Sequence, residues 1–130
     1  MRIVVPLAIA ASGVVSVSAQ KSWGPIDALL GFASDRSVDF HASSQTNPYA
    51  NDPTAIAVGL KHYRNMCLVC HGAPGLEPTE ISQGLHPSPP NLASPDSQSM
   101  SDGELFWVIA NGIGSTGMPS FEKADPTDVR

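Results

Sequence analysis

The sequence predicts an all-α domain of short helices joined by long loops, and three observations predict it. Helix-start signals stand at Asp52-Pro53 and at Ser101-Asp102-Gly103-Glu104, each followed by an apolar run. No stretch alternates apolar and polar residues as a half-buried strand would. Among 130 residues there are 12 Pro and 11 Gly but few aromatics, too many chain breakers for long elements and too few large side chains for a large core. At this length one small domain is the ceiling, and much of its centre must come from something other than side chains.

The candidate for that centre is Cys67-Leu68-Val69-Cys70-His71, which uses both cysteines of the chain. C-x-x-C-H is the attachment pattern of c-type haem: two thiols on one turn of backbone reach the two vinyl groups of one porphyrin, and the histidine falls under the iron. His71 then offers Nε2 as proximal ligand, which requires Nδ1 to carry the proton and to donate it to an acceptor elsewhere. Three other readings stay open at this point. A thioredoxin-like dithiol wants a preceding strand and a βαβ pattern, a structural zinc site wants a second ligand pair, and a plain disulfide leaves His71 unexplained.

Taken in order, the chain opens with Met1-Arg2 and an apolar stretch from Ile3 to Val17, closed by small residues at Val17-Ser18-Ala19. This reads as an export signal over residues 1–19, with cleavage before Gln20; the alternative is a retained membrane anchor. Residues 20–53 show no sustained period and are read as an extended arm or linker, punctuated at Trp23-Gly24-Pro25 and Asn47-Pro48. His41 within it is read as solvated or locally hydrogen-bonded. The formal charge of −5 excludes a basic stripe for phosphates, so nucleic acid is not an expected partner.

From Asp52-Pro53 a helix carries Ile56, Gly59, Leu60, Tyr63 and Leu68 on one side at a 3.6-residue period, with Lys61, Arg64 and Asn65 on the other and His62 on its surface. Ala73 to Pro90 holds too many Pro and Gly for regular structure. Ser101 and Glu104 form a capping box for Leu105 to Ala110, a run apolar on nearly every side. Trp107 in it needs a partner for its indole N–H, or simply packs in the core. Asn111-Gly112 ends this helix, and the glycine-rich loop after it leads to Met118-Pro119.

Together these elements resemble the class I cytochrome c family. The resemblance rests on Gly59 and Tyr63 ahead of Cys67 to Gly72, on Pro89-Pro90-Asn91-Leu92, and on a helix, a Gly-rich loop and Met118-Pro119-Ser120-Phe121. It implies the cytochrome c fold around one covalently bound haem c in a domain of residues 54–130. It implies that the carbonyl of Pro90 accepts the Nδ1 proton of His71, that Leu92 packs on the ring, and that Met118 is the second axial ligand, with Met100 as runner-up. That family closes with a helix crossing Gly59 and Tyr63; here Asp125-Pro126-Thr127-Asp128 is a helix start and the sequence then stops at Arg130, so it is read as C-terminally truncated or as leaving that face to a partner.

The function implied is an exported, periplasmic or membrane-tethered monohaem carrier of single electrons between a redox donor and acceptor, not an enzyme. Two alternatives accompany it. One is a cytochrome subunit fixed in a larger dehydrogenase or oxidase, and the other is a haem enzyme or gas-binding protein with a labile Met118.

Overall fold

The computed structural model describes residues 11–124, apart from 13, 15, 17, 20, 21 and 43. Most of the export-signal reading of residues 1–19, and the helix start at residues 125–128, lie outside the described residues. The elements are α1 (Pro25–Ala42), α2 (Pro53–His62), a π-helical segment (Tyr63–Cys67), α3 (Leu68–His71), α4 (Glu80–Gln83), α5 (Pro95–Gln98), α6 (Asp102–Asn111) and α7 (Phe121–Ala124). Among the described residues there is no strand, and no helix is long and apolar enough to cross a membrane.

The expectation of an extended arm or linker over residues 20–53 is corrected by α1, an 18-residue helix. Its start is built by Asp27, whose Oδ2 accepts from the Trp23 amide at 2.7 Å and the Ser22 hydroxyl at 2.9 Å, while Gly24 takes a φ of +54° that admits the turn. The helix packs on α6 through Val38 and Ala42. Gly103 of α6 makes this approach possible, since a Cβ there would stand 3.0 Å from the Ala42 carbonyl. At its other end, His86 Nε2 lies 3.1 Å from Asp27 Oδ2 and ties α1 to the loop before Pro90. Ile26, Leu29, Leu30, Phe32 and Phe40 are exposed, Phe40 at 78 %. A helix buried through one Val and one Ala, with its large apolar residues outward, carries no stripe that periodicity could find.

Asp52 caps α2 as its residue type predicts, accepting from Thr54 N at 2.8 Å and Ala55 N at 3.4 Å, with Pro53 in the first turn. The expected single period does not run through to the cysteines. Between Tyr63 and Cys67 the backbone widens to i→i+5 bonding, the Leu68 amide reaching the Tyr63 carbonyl, so the register shifts before α3. Tyr63 and Leu68 are half-buried, whereas Ile56, Gly59 and Leu60 are exposed.

The capping box of α6 is present in both directions: Glu104 N donates to Ser101 Oγ at 3.3 Å, and Ser101 N donates to Glu104 Oε2 at 2.6 Å. Gly112 ends the helix at a φ of +70°. Buried apolar side chains among the described residues are Val38, Ala42 and Ala110 alone, so the apolar inward faces of α2 and α6 do not close on each other.

Candidate functional site

α3 is the turn that carries the chemistry, and its end is held by partners from three directions. Its last carbonyls lack intrahelical donors, as at any helix C-terminus. The Val69 carbonyl accepts from Thr79 Oγ1 at 2.7 Å, and the Leu68 carbonyl from Gly72 N at 2.9 Å. The Gly72 carbonyl accepts from the Tyr63 hydroxyl at 2.6 Å. Gly72 itself has a φ of +68°, a value at which a side chain is strained.

His71 Nδ1 lies 3.0 Å from the carbonyl oxygen of Pro90. A carbonyl can only accept, so this bond puts the proton on Nδ1 and leaves the Nε2 lone pair free to ligate. The Pro90 peptide is steadied by the turn on its C-terminal side. Asn91 Oδ1 accepts from Ala93 N at 2.9 Å, the Asn91 carbonyl accepts from Ser94 N at 2.9 Å, and Gln98 Nε2 donates to the Leu92 carbonyl at 2.7 Å. Leu92 is half-buried.

Cys67 and Cys70 are half-buried and not bonded to each other. Burial pushes the Cys67 thiol up, with the neighbouring Cys70 adding to it. A thiol held up in this way is the reverse of the acidic nucleophile of a dithiol oxidoreductase. Among the described residues no group of three or more His, Cys, Asp or Glu could hold a metal ion.

Met118 is placed by its loop. Its amide donates to Thr116 Oγ1 at 3.0 Å, Thr116 Oγ1 donates to the Ile113 carbonyl at 2.8 Å, and Ile113 N donates to the Met118 carbonyl at 3.2 Å. Gly112 lies so close beneath this loop that a Cβ would come within 2.7 Å of the Met118 carbonyl oxygen. Met118 and Cys67 line one cavity of about 990 Å³, walled by Tyr63 and Met66 on one side and by Leu105, Phe106 and Ile109 of α6 on the other. That volume is at the upper end of the range of about 300–1,000 Å³ usual for cofactor pockets. Met100 does not line it; nor do Cys70, His71, Pro90 and Leu92.

The remaining histidines have other occupations. His41 Nδ1 lies 2.8 Å from the Ser37 carbonyl oxygen, and its ring stacks on Trp107 at 5.5 Å between centroids and 24° between planes. His86 pairs with Asp27, and His62 lines the cavity. Trp107 thus has a ring neighbour contributed by α1. Tyr63 and Thr79 are site residues that sequence reasoning missed in their polar role; the only signal was an aromatic four residues before Cys67, and it said nothing of its hydroxyl.

The donor set fits a c-type haem: two uncombined thiols separated by two residues, an imidazole with Nε2 freed, and a thioether on an apolar wall shared with Cys67. Residues 54–130 match the model of the family described as cytochrome C oxidase, cbb3-type, subunit III. No curated protein and no solved structure gives a match.

Proposed function

The chain belongs to the cytochrome c oxidase, cbb3-type, subunit III family, and from that premise we propose that it carries single electrons through His71 and Met118 between a redox donor and acceptor. Membership makes it a c-type cytochrome with covalently attached haem c, acting in electron transfer. The group supplies one-electron redox chemistry when bound. The finer roles are our reading: Cys67 and Cys70 would form the thioethers, His71 through Nε2 and Met118 through sulfur would hold the iron, Pro90 would orient His71, and Leu92 would pack beside the ring.

The observation that carries this reading is the 3.0 Å approach of His71 Nδ1 to the Pro90 carbonyl, beside two uncombined thiols. The chain's own task is to keep the structural cost of a charge change small. An imidazole fixed by a carbonyl and a thioether fixed by a hydroxyl-braced loop need little rearrangement between redox states, and a soft neutral sulfur ligand favours the reduced one. An iron held by both His71 and Met118 would leave no position for a small substrate.

We place the haem domain at residues 54–130, preceded by a helical arm within residues 20–53 and an export signal or anchor at residues 1–19, hence in the periplasm or tethered to the cytoplasmic membrane. Support for the last step is the sequence alone, in Met1-Arg2 and the apolar run to Val17. A potentiometric titration of the purified protein tests the function: a single reversible one-electron wave with a Met-to-iron charge-transfer band in the ferric state is expected. A ferric protein lacking that band and binding exogenous ligands would replace it with the gas-binding or enzymatic reading.

One observation favours a second reading, a subunit fixed within a larger oxidase. The family description names such a complex, and Ile26, Leu29, Leu30 and Phe40 turn an apolar face of α1 outward. Copurification with oxidase subunits from detergent-solubilised membranes is its test; recovery as a free protein in the soluble fraction excludes it.

A further inference from the structure

We infer that Tyr63 is a positioning residue for the axial histidine, acting through its hydroxyl on the Gly72 carbonyl. The inference rests on the reading of His71 as iron ligand. Tyr63 sits nine residues before Gly72, a separation that places two residues of a straight α-helix about 13–14 Å apart along the axis. Here the hydroxyl reaches the carbonyl at 2.6 Å. Two features make the reach possible. The backbone widens into π geometry at Tyr63, and at Gly72, with φ +68°, it leaves the helix.

The hydroxyl therefore grips the Gly72–Ala73 peptide, one residue beyond His71. Gly72 caps the helix at a positive φ, so its carbonyl lies outside the intrahelical ladder and takes its donor from Tyr63. Gly72 is buried, so its carbonyl has little water to turn to, and an unmet buried acceptor is costly. Thr79 braces the same turn from the loop side through the Val69 carbonyl. The ring of His71 is fixed by Pro90, and the backbone on either side of it is held by Thr79 at the Val69 carbonyl and by Tyr63 at the Gly72 carbonyl. Remove the Tyr63 hydroxyl and the backbone of His71 gains freedom that the Pro90 bond alone does not restrain; the imidazole plane then rotates about its metal bond.

The plane of an axial imidazole sets the g-anisotropy and the pattern of paramagnetically shifted haem-methyl resonances in the ferric state. These are the readouts, and a loss of stability alone would not move them. The unmutated protein is measured first: covalent haem and low-spin His/Met spectra establish the ligand reading, and their absence refutes that reading rather than this inference. Tyr63→Phe keeps the ring and loses the hydroxyl. Both thioethers should persist by mass, while the methyl pattern and g values shift.

Unchanged spectra with a lowered melting temperature overturn the inference and leave Tyr63 a structural residue. Should Tyr63→Phe not accumulate, a second experiment decides. In Tyr49→Phe, Tyr63 is the one tyrosine left, and fluorotyrosine incorporated there keeps the hydroxyl as a stronger donor. Its spectra should differ from those of Tyr49→Phe bearing ordinary tyrosine; identical spectra overturn the proposal.

Discussion

His71 and Pro90, nineteen residues apart, are joined ring to backbone: Nδ1 of the imidazole lies 3.0 Å from the proline carbonyl oxygen. Because the acceptor is a main-chain group, no substitution at position 90 removes it. What proline contributes is a backbone with one fixed torsion.

Pro90→Ala should therefore keep the bond and the attached haem while lowering stability by about 0.4–1 kcal/mol, the entropy regained by the unfolded chain. Denaturant unfolding followed by haem absorbance measures this. A loss of the His71 ligand in Pro90→Ala would show instead that proline is needed to aim the carbonyl.

Met118→Ala should leave haem attached, lower the potential and open the iron to exogenous ligands, whereas Met100→Ala should do neither. Only Met118 of the two shares a cavity wall with Cys67. Identical behaviour of the two variants, in ligand binding and in voltammetry, would contradict the assignment.

Gly112→Ala separates loop support from ligand identity. A Cβ at that position would lie 2.6 Å from the Pro119 carbonyl carbon, and the φ of +70° adds strain of about 1–2 kcal/mol for an L side chain. The Met118 loop must lift. The Met-to-iron charge-transfer band should weaken or vanish although no ligand has been replaced, and retention of the full band would show that the loop is held elsewhere.

The capping box makes a prediction with a sign. Hydrogen bonds from the Ser101 hydroxyl and then the Ser101 amide hold the Glu104 carboxyl below its ordinary value. A lowered folded-state pKa contributes stability that is complete above the unfolded-state value and lost as pH falls through the folded one, that is, in the acid range from the ordinary carboxyl value downward. Glu104→Gln should flatten this part of the acid-unfolding curve. Ser101→Ala, which removes the cap, should cost about 0.5–2 kcal/mol near neutral pH. Acid and urea titrations of both variants check the pair.

What the sequence disclosed was local. Asp52-Pro53 and Ser101/Glu104 are capping signals whose donors and acceptors lie two or three residues apart, and both caps form in the fold. The Cys67-Cys70-His71 spacing is likewise confined to one turn. α1 was hidden because its partner, α6, lies about sixty residues on and its contact is made by Val38, Ala42 and the missing side chain of Gly103. The π-helical widening at Tyr63 has no composition to betray it, and without it the grip of Tyr63 on Gly72 could not be foreseen. His86 and Asp27, fifty-nine residues apart, meet only because α1 exists.

The most direct test of the account is whether colour stays with the polypeptide. The protein is denatured, extracted with acid acetone, and run on a gel stained for haem, beside a Cys67→Ser/Cys70→Ser double variant. The account predicts haem retained by the unmutated chain, with a mass increase of one haem, and none retained by the double variant. Haem extracted from the unmutated chain, or retained by the variant without its cysteines, would contradict covalent attachment at Cys67 and Cys70.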